Sequence, residues 1–132
     1  MPSVPTETMR LAYQSSTAAI RNPNGIAFDA VGNLFFADSG NHRVRRIDAD
    51  TGTVTNWVGN GIADSSAPGD GGSAVDASLV DPYGIEFDAA GNLYIADAGA
   101  HVIRKVAPDR TITTIAGISG VPGYTNDGGL AT

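Results

Sequence analysis

Short apolar runs alternate along this chain with turns rich in Gly, Asp and Asn, and the runs recur in pairs. Gly25–Phe28 and Gly84–Phe87 place Ile and Phe at alternate positions, the period of a strand with one buried face. Asn33–Ala37 (NLFFA) and Asn92–Ala96 (NLYIA) are apolar at successive positions, as in a strand covered on both faces. Arg43–Ile47 with Val102–Val106, and Thr53–Val58 with Thr111–Ala116, complete two sets of four strands rich in β-branched and aromatic residues. The connections agree with hairpins. DAVGN at 29–33 and DAAGN at 88–92 supply a Gly for the positive φ of a tight turn, and DSGNH at 38–42 and DAGAH at 97–101 are read in the same way. In the second pair, the Asp can also bond loop N–H groups. DADTG at 48–52 and APDR at 107–110 close a third hairpin in each set. No segment carries helical periodicity beyond about two turns, although a short helical turn near Ala74–Leu79 is compatible with the pattern.

The two sets are copies. Residues 22–48 and 81–107 align without a gap at an offset of 84 − 25 = 59, and about half the positions are identical. Upstream, Ala18 and Ile20 match Ala77 and Leu79. TMRLAY at 8–13 resembles the Thr-rich fourth strand, and Asn126–Ala131 echoes Gly69–Ala74. Four antiparallel strands per repeat, with tight turns and one long link, predict an all-β fold of β-propeller blades. The division is an outer strand of a preceding blade with its link (1–21), a first blade (22–59), a linker (60–80), a second blade (81–117) and the start of the next linker (118–132). That makes two full blades plus one extra outer strand. Propellers close with about four to eight blades, so two do not make a ring.

The pattern PxGIxFDxxGNLYxADxGxHxIRK, with the link GDGGSAxDASLVDPYGI, resembles the NHL repeat, from about residue 18 onward. The second copy departs from the fuller DSGNHRVRR with DAGAHVIRK. The resemblance implies a propeller, commonly of about six blades, and a parent function in protein binding or scaffolding. It also implies an alternative, since some related propellers are metal-dependent lyases; a lyase or hydrolase site would then lie mostly in blades absent here. Two organisations follow: an excerpt of a longer propeller, or a two-blade unit that oligomerises into a ring through its blade faces.

Composition narrows the partners. With 8 Lys and Arg against 14 Asp and Glu, the net charge of −6 repels phosphate backbones and anionic membrane surfaces, so neither nucleic acid nor membrane is an expected partner. No apolar run approaches the ~18 residues of a spanning helix, and the N-terminal sequence lacks the basic start and apolar stretch of a signal peptide. Absence of Cys removes disulfides, thiolate metal sites and a Cys nucleophile. No nucleophile elbow or phosphate loop occurs, and no catalytic residue, cofactor or metal is assigned.

Strand direction gathers the second-turn loops and the linker on one face of the disc. Asp38, His42, Tyr83, Asp97 and His101 are the binding candidates there, for a protein or peptide ligand. The competing reading makes the two Asp turn caps and the two His scaffold residues, because both recur in equivalent positions. Arg43, Arg45, Arg46, Arg104 and Lys105 form a basic strip expected to pair with acidic neighbours, and Asp64, Asp70, Asp76 and Asp81 lack the spacing of a calcium loop. Trp57 and Tyr94 are expected in the core.

Overall fold

The computed structural model describes residues 19–123. The strand suggested at 8–13 and the third-repeat echo at 126–131 lie outside these residues. Among the described residues, eight strands run in chain order: β1 (Pro23–Phe28), β2 (Leu34–Asp38), β3 (Arg43–Ile47), β4 (Val54–Val58), β5 (Pro82–Phe87), β6 (Leu93–Asp97), β7 (Val102–Val106) and β8 (Ile112–Ala116). They form two four-stranded antiparallel sheets, β1-β2-β3-β4 and β5-β6-β7-β8. Each sheet is a propeller blade. The repeat extends to the irregularities: register shifts fall at Pro23/Ile26 and Pro82/Ile85, and again at Val44/Arg45 and Ile103/Arg104. The helical turn in the link is a single 3-10 turn, Ala74–Asp76.

The core lies between the blades. Phe35, Ala37, Val44 and Val58 of the first blade meet Ile85, Leu93, Ile95, Val106 and Ile112 of the second, and Ala74, Ala77 and Leu79 of the link complete the cluster. Phe35 is its centre, edge-on to Trp57 at 5.4 Å and to Phe87 at 4.8 Å between ring centroids. Each such edge contact adds about 1 kcal/mol to the area that it buries. Because side chains alternate along a strand, β2 sends Phe35 and Ala37 to this core and Leu34 and Phe36 to the opposite face, in register with Phe28 and Ile26. Ile26 and Phe28 are each 61% exposed. This face of the first blade is equivalent to the face of the second that fills the core.

The inner strands approach closely where each repeat has its PxGI. A Cβ on Gly25 would stand 2.7 Å from the Tyr83 carbonyl oxygen and 3.1 Å from Gly84 Cα, so only Gly lets β1 lie this near β5.

The turns split by mechanism. Gly32 (φ 92°) and Gly91 (φ 87°) carry the left-handed conformation in the first hairpins, as the sequence suggests. In the second turns the expectation fails. The left-handed residues are His42 (φ 59°) and His101 (φ 63°), while Gly40 has ordinary φ. Gly40 is there for room: a Cβ would meet the Arg21 carbonyl oxygen at 2.8 Å, and the Gly40 N–H donates to that same oxygen at 2.7 Å.

The link also does structural work. Gly71 N donates to Ile112 O, Ile112 N to Gly72 O and Ala74 N to Arg110 O, and Ser73 bridges Thr111. The link thus pairs with the start of the outer strand β8 and covers backbone groups that would otherwise be open.

Candidate functional site

On the face that carries the second turns and the link, the five candidates fall at different depths. Asp38 and Asp97 are fully buried. Asp97 accepts from three backbone N–H groups: Asp81 at 2.8 Å and Ala100 at 3.2 Å on Oδ1, and Val80 at 2.9 Å on Oδ2. Asp38 accepts from the Arg21 N–H at 2.7 Å and from Asn41 Nδ2 at 2.9 Å, and its Oδ2 pairs with Arg45 Nε at 2.8 Å. Both carboxylates therefore hold the segment entering a blade against the turn between the blade's second and third strands. Their oxygens are spent on the scaffold.

His42 and Tyr83 share one hollow of about 640 Å³, lined also by Asn24, Ser39, Val80 and Asp81. It straddles the seam between the blades. His42 Nδ1 donates to the Val80 carbonyl at 2.6 Å, which leaves the other ring nitrogen of the neutral imidazole as an acceptor. Ser39 Oγ donates to the Pro82 carbonyl and accepts from Asn24 Nδ2 at 2.8 Å. Tyr83 is 53% exposed. Asp81 makes no side-chain hydrogen bond among the described residues. His101 has the same backbone conformation as His42 but is exposed and stands apart, beside a shallower depression with Asp97 and Ile103. Sequence reasoning did not single out Asn24 and Ser39, whose roles arise from contacts across the seam. Among the described residues, no three His, Cys, Asp or Glu side chains gather as metal ligands.

The basic strip dissolves into individual roles. Arg46 pairs with Asp48 at 3.1 Å and lies over the Trp57 ring. Arg104 is completely buried and bonds the Ser78 and Pro68 carbonyls and Asp70 at 2.9 Å, which ties the link to the second blade. Trp57 is half-buried at the edge of the core. Tyr94 is also half-buried, on the face away from the first blade, and donates to Asp88 at 3.0 Å.

On the opposite face, the first hairpins repeat another carboxylate device. Asp88 accepts from the N–H groups of Ala90 and Asn92 and from the Asn92 side chain, and Asp29 does the same with Val31 and Asn33. The Asn92 side chain is the largest influence on Asp88 and, with the backbone donors and Tyr94, holds its carboxyl below the ordinary value against desolvation. For Asp29, desolvation is the largest influence and acts upward, but the Asn33 side chain and backbone donors outweigh it.

A family model for the teneurin NHL domain matches residues 60–125. The chain belongs to the NHL-repeat family. It is 33% identical over 89 residues to NHL repeat-containing protein 2 of Bos taurus, covering 66% of this chain and 12% of that protein. It is 34% identical over 103 residues to teneurin-3 of Mus musculus, covering 70% of this chain and 4% of that protein. The NHL-repeat chain thus spans a small fraction of the length of these relatives. Among solved structures, a Bacteroides thetaiotaomicron protein of unknown function matches with a TM-score of 0.63 at 24% identity, over 77% of this chain and 25% of that one. A streptogramin B lyase matches at 0.55 and 14% identity, over 74% of this chain and 27% of the lyase. At these identities the likeness shows the propeller fold alone.

Two outcomes follow for this NHL-repeat pair. Asp97→Ala strands three backbone N–H groups in a buried site and is expected to cost about 3 kcal/mol in denaturant unfolding, whereas Asp76→Ala on the linker is expected to cost under about 1 kcal/mol. Asn92→Ala is expected to raise the Asp88 carboxyl toward the ordinary aspartate value, read by carboxyl NMR titration. A depressed folded-state pKa stabilises the fold above about pH 4 and loses that effect as pH falls through the folded value. The variant's stability deficit should therefore be present at pH 7 and shrink in acid.

Proposed function

We propose that this pair of NHL blades is a non-enzymatic interaction module that takes an extended peptide segment of another protein across the hollow at the blade seam. The observation supporting this reading is how the hollow's groups are committed. Asn24, Ser39 and one nitrogen of His42 are locked into the scaffold, while the Tyr83 side chain, the second His42 nitrogen and the Asp81 carboxylate have no scaffold bond among the described residues, and all three residues line an open space of about 640 Å³. A rigid rim with an exposed aromatic anchor, an acceptor and a carboxylate suits a segment carrying a cationic side chain. The chain's net charge of −6 favours the same partner.

The outer blade faces complete the proposal. Ile26 and Phe28 on one side, and Ile103 with Tyr94 on the other, are covered by further blades of the same kind, supplied either by the same polypeptide or by other copies of it.

Selection from a random peptide library on the immobilised protein tests the first part. Recovered peptides should carry Lys or Arg and bind the Tyr83→Ala variant at least about tenfold more weakly by calorimetry, with His101→Ala unchanged. Recovery of no peptide, or equal affinity for Tyr83→Ala, rejects the reading. Light scattering over a concentration series tests the second part. A fixed multiple of the chain mass identifies copies as the covering blades, and a sticky monomer identifies the polypeptide's own further blades.

A further inference from the structure

The face opposite the hollow carries a second feature that the scaffold does not use. Between the blades, a cleft of about 310 Å³ is walled by Phe35, Trp57, Phe87, Leu93 and Pro108, with Arg110 at its side. Arg110 sits in an unusual place. The turn before β8 is one residue shorter than its counterpart before β4, where Gly52 takes the left-handed conformation (φ 72°). Here Arg110 takes it (φ 74°), a conformation that costs a non-glycine residue about 1 kcal/mol. The result places its guanidinium 3.6 Å from the centroid of the Trp57 ring, with one nitrogen donating to the Trp57 carbonyl at 2.6 Å. The remaining donors are unspent. Arg110 forms no ion pair among the described residues, and its Nε, like those of Arg43 and Arg104, is buried without a hydrogen-bond partner. Arg46 and Arg104, by contrast, each have a carboxylate.

The geometry points to a binding site for a small aromatic monocarboxylate, its ring in the cleft beside Phe87, Pro108 and Trp57 and its carboxylate on the free donors of Arg110. The volume admits one ring with a short tail, at the lower end for small-molecule sites. Two acidic residues, Asp29 and Asp88, also border the cleft, but their oxygens are turned into their own hairpins by bonds from Asn33, Asn92 and the backbone. Burial first, and then the charge of Arg46, hold the Arg110 guanidinium below the ordinary arginine value. A guanidinium held over an aromatic face and by the Trp57 carbonyl presents its remaining terminal nitrogen to a carboxylate in a fixed orientation.

Trp57 is the single tryptophan, so its fluorescence reports the cleft directly. Titration of the whole chain with 3-phenylpropionate and, in parallel, with neutral 3-phenylpropanol tests the inference without any variant. A saturable change with the acid at a concentration at least about tenfold below that needed for the alcohol is expected. Arg110→Gln should abolish that preference and Arg110→Lys should keep part of it, with circular dichroism showing that both variants retain the fold. No saturable change, equal affinity for acid and alcohol, or a preference that survives in Arg110→Gln overturns the inference.

Discussion

Two buried carboxylates, one per repeat, decide how this polypeptide is threaded. Asp97 takes three main-chain N–H groups from the arriving link and from its own turn, and Asp38 does the corresponding work at the first blade. A charged group without water is costly unless its lone pairs are filled, and here they are filled by the segment that must be positioned. The bond therefore acts as a locating pin: it fixes where each innermost strand begins. Through β1 and β5 it also fixes how near the blades approach at Gly25, and through Val80 and Pro82 where His42, Ser39 and Tyr83 stand.

The apolar core is built on that placement. The seam between blades is filled by residues of unequal shape, with Phe35 of the first blade set among mostly aliphatic side chains of both, and the link adds Ala74, Ala77 and Leu79 as a third wall. Arg104 fills the space under the link, its two terminal nitrogens bonded to the Ser78 and Pro68 carbonyls and its charge met by Asp70. Its counterpart Arg45 has the same strand position but pairs with Asp38. One repeat position thus serves two electrostatic arrangements.

Most of the backbone was legible because the 59-residue offset lets two copies check one another, and alternation along a strand assigns its faces. The doubly apolar second strand announced a sheet covered on both sides. Burial of the Asp in each ADxG was hidden, because turn chemistry predicts a cap but says nothing of its depth. The left-handed role fell to His42 and His101 while Gly40 was reserved for a passing chain, a contact between residues far apart in sequence. The basic strip had the expected acidic partners only in part: Arg45, Arg46 and Arg104 found them, whereas Arg43 and Lys105 have none among the described residues. Arg110 lies outside that strip and was not singled out in the sequence. Its stacking on Trp57 depends on a one-residue deletion in a hairpin, and no periodicity registers that.

The link that pairs with the outer strand of the following blade gives the architecture a grammar. Each unit carries, in its own sequence, both the face that accepts its predecessor and the tether that reaches its successor. Whole units can therefore be duplicated or lost at the gene level without designing a new junction, whereas a cut inside a unit separates a carboxylate from the backbone that it seats. Lineages built from this repeat are free to vary in blade number by integers, and selection on individual loops can proceed while the joints stay constant.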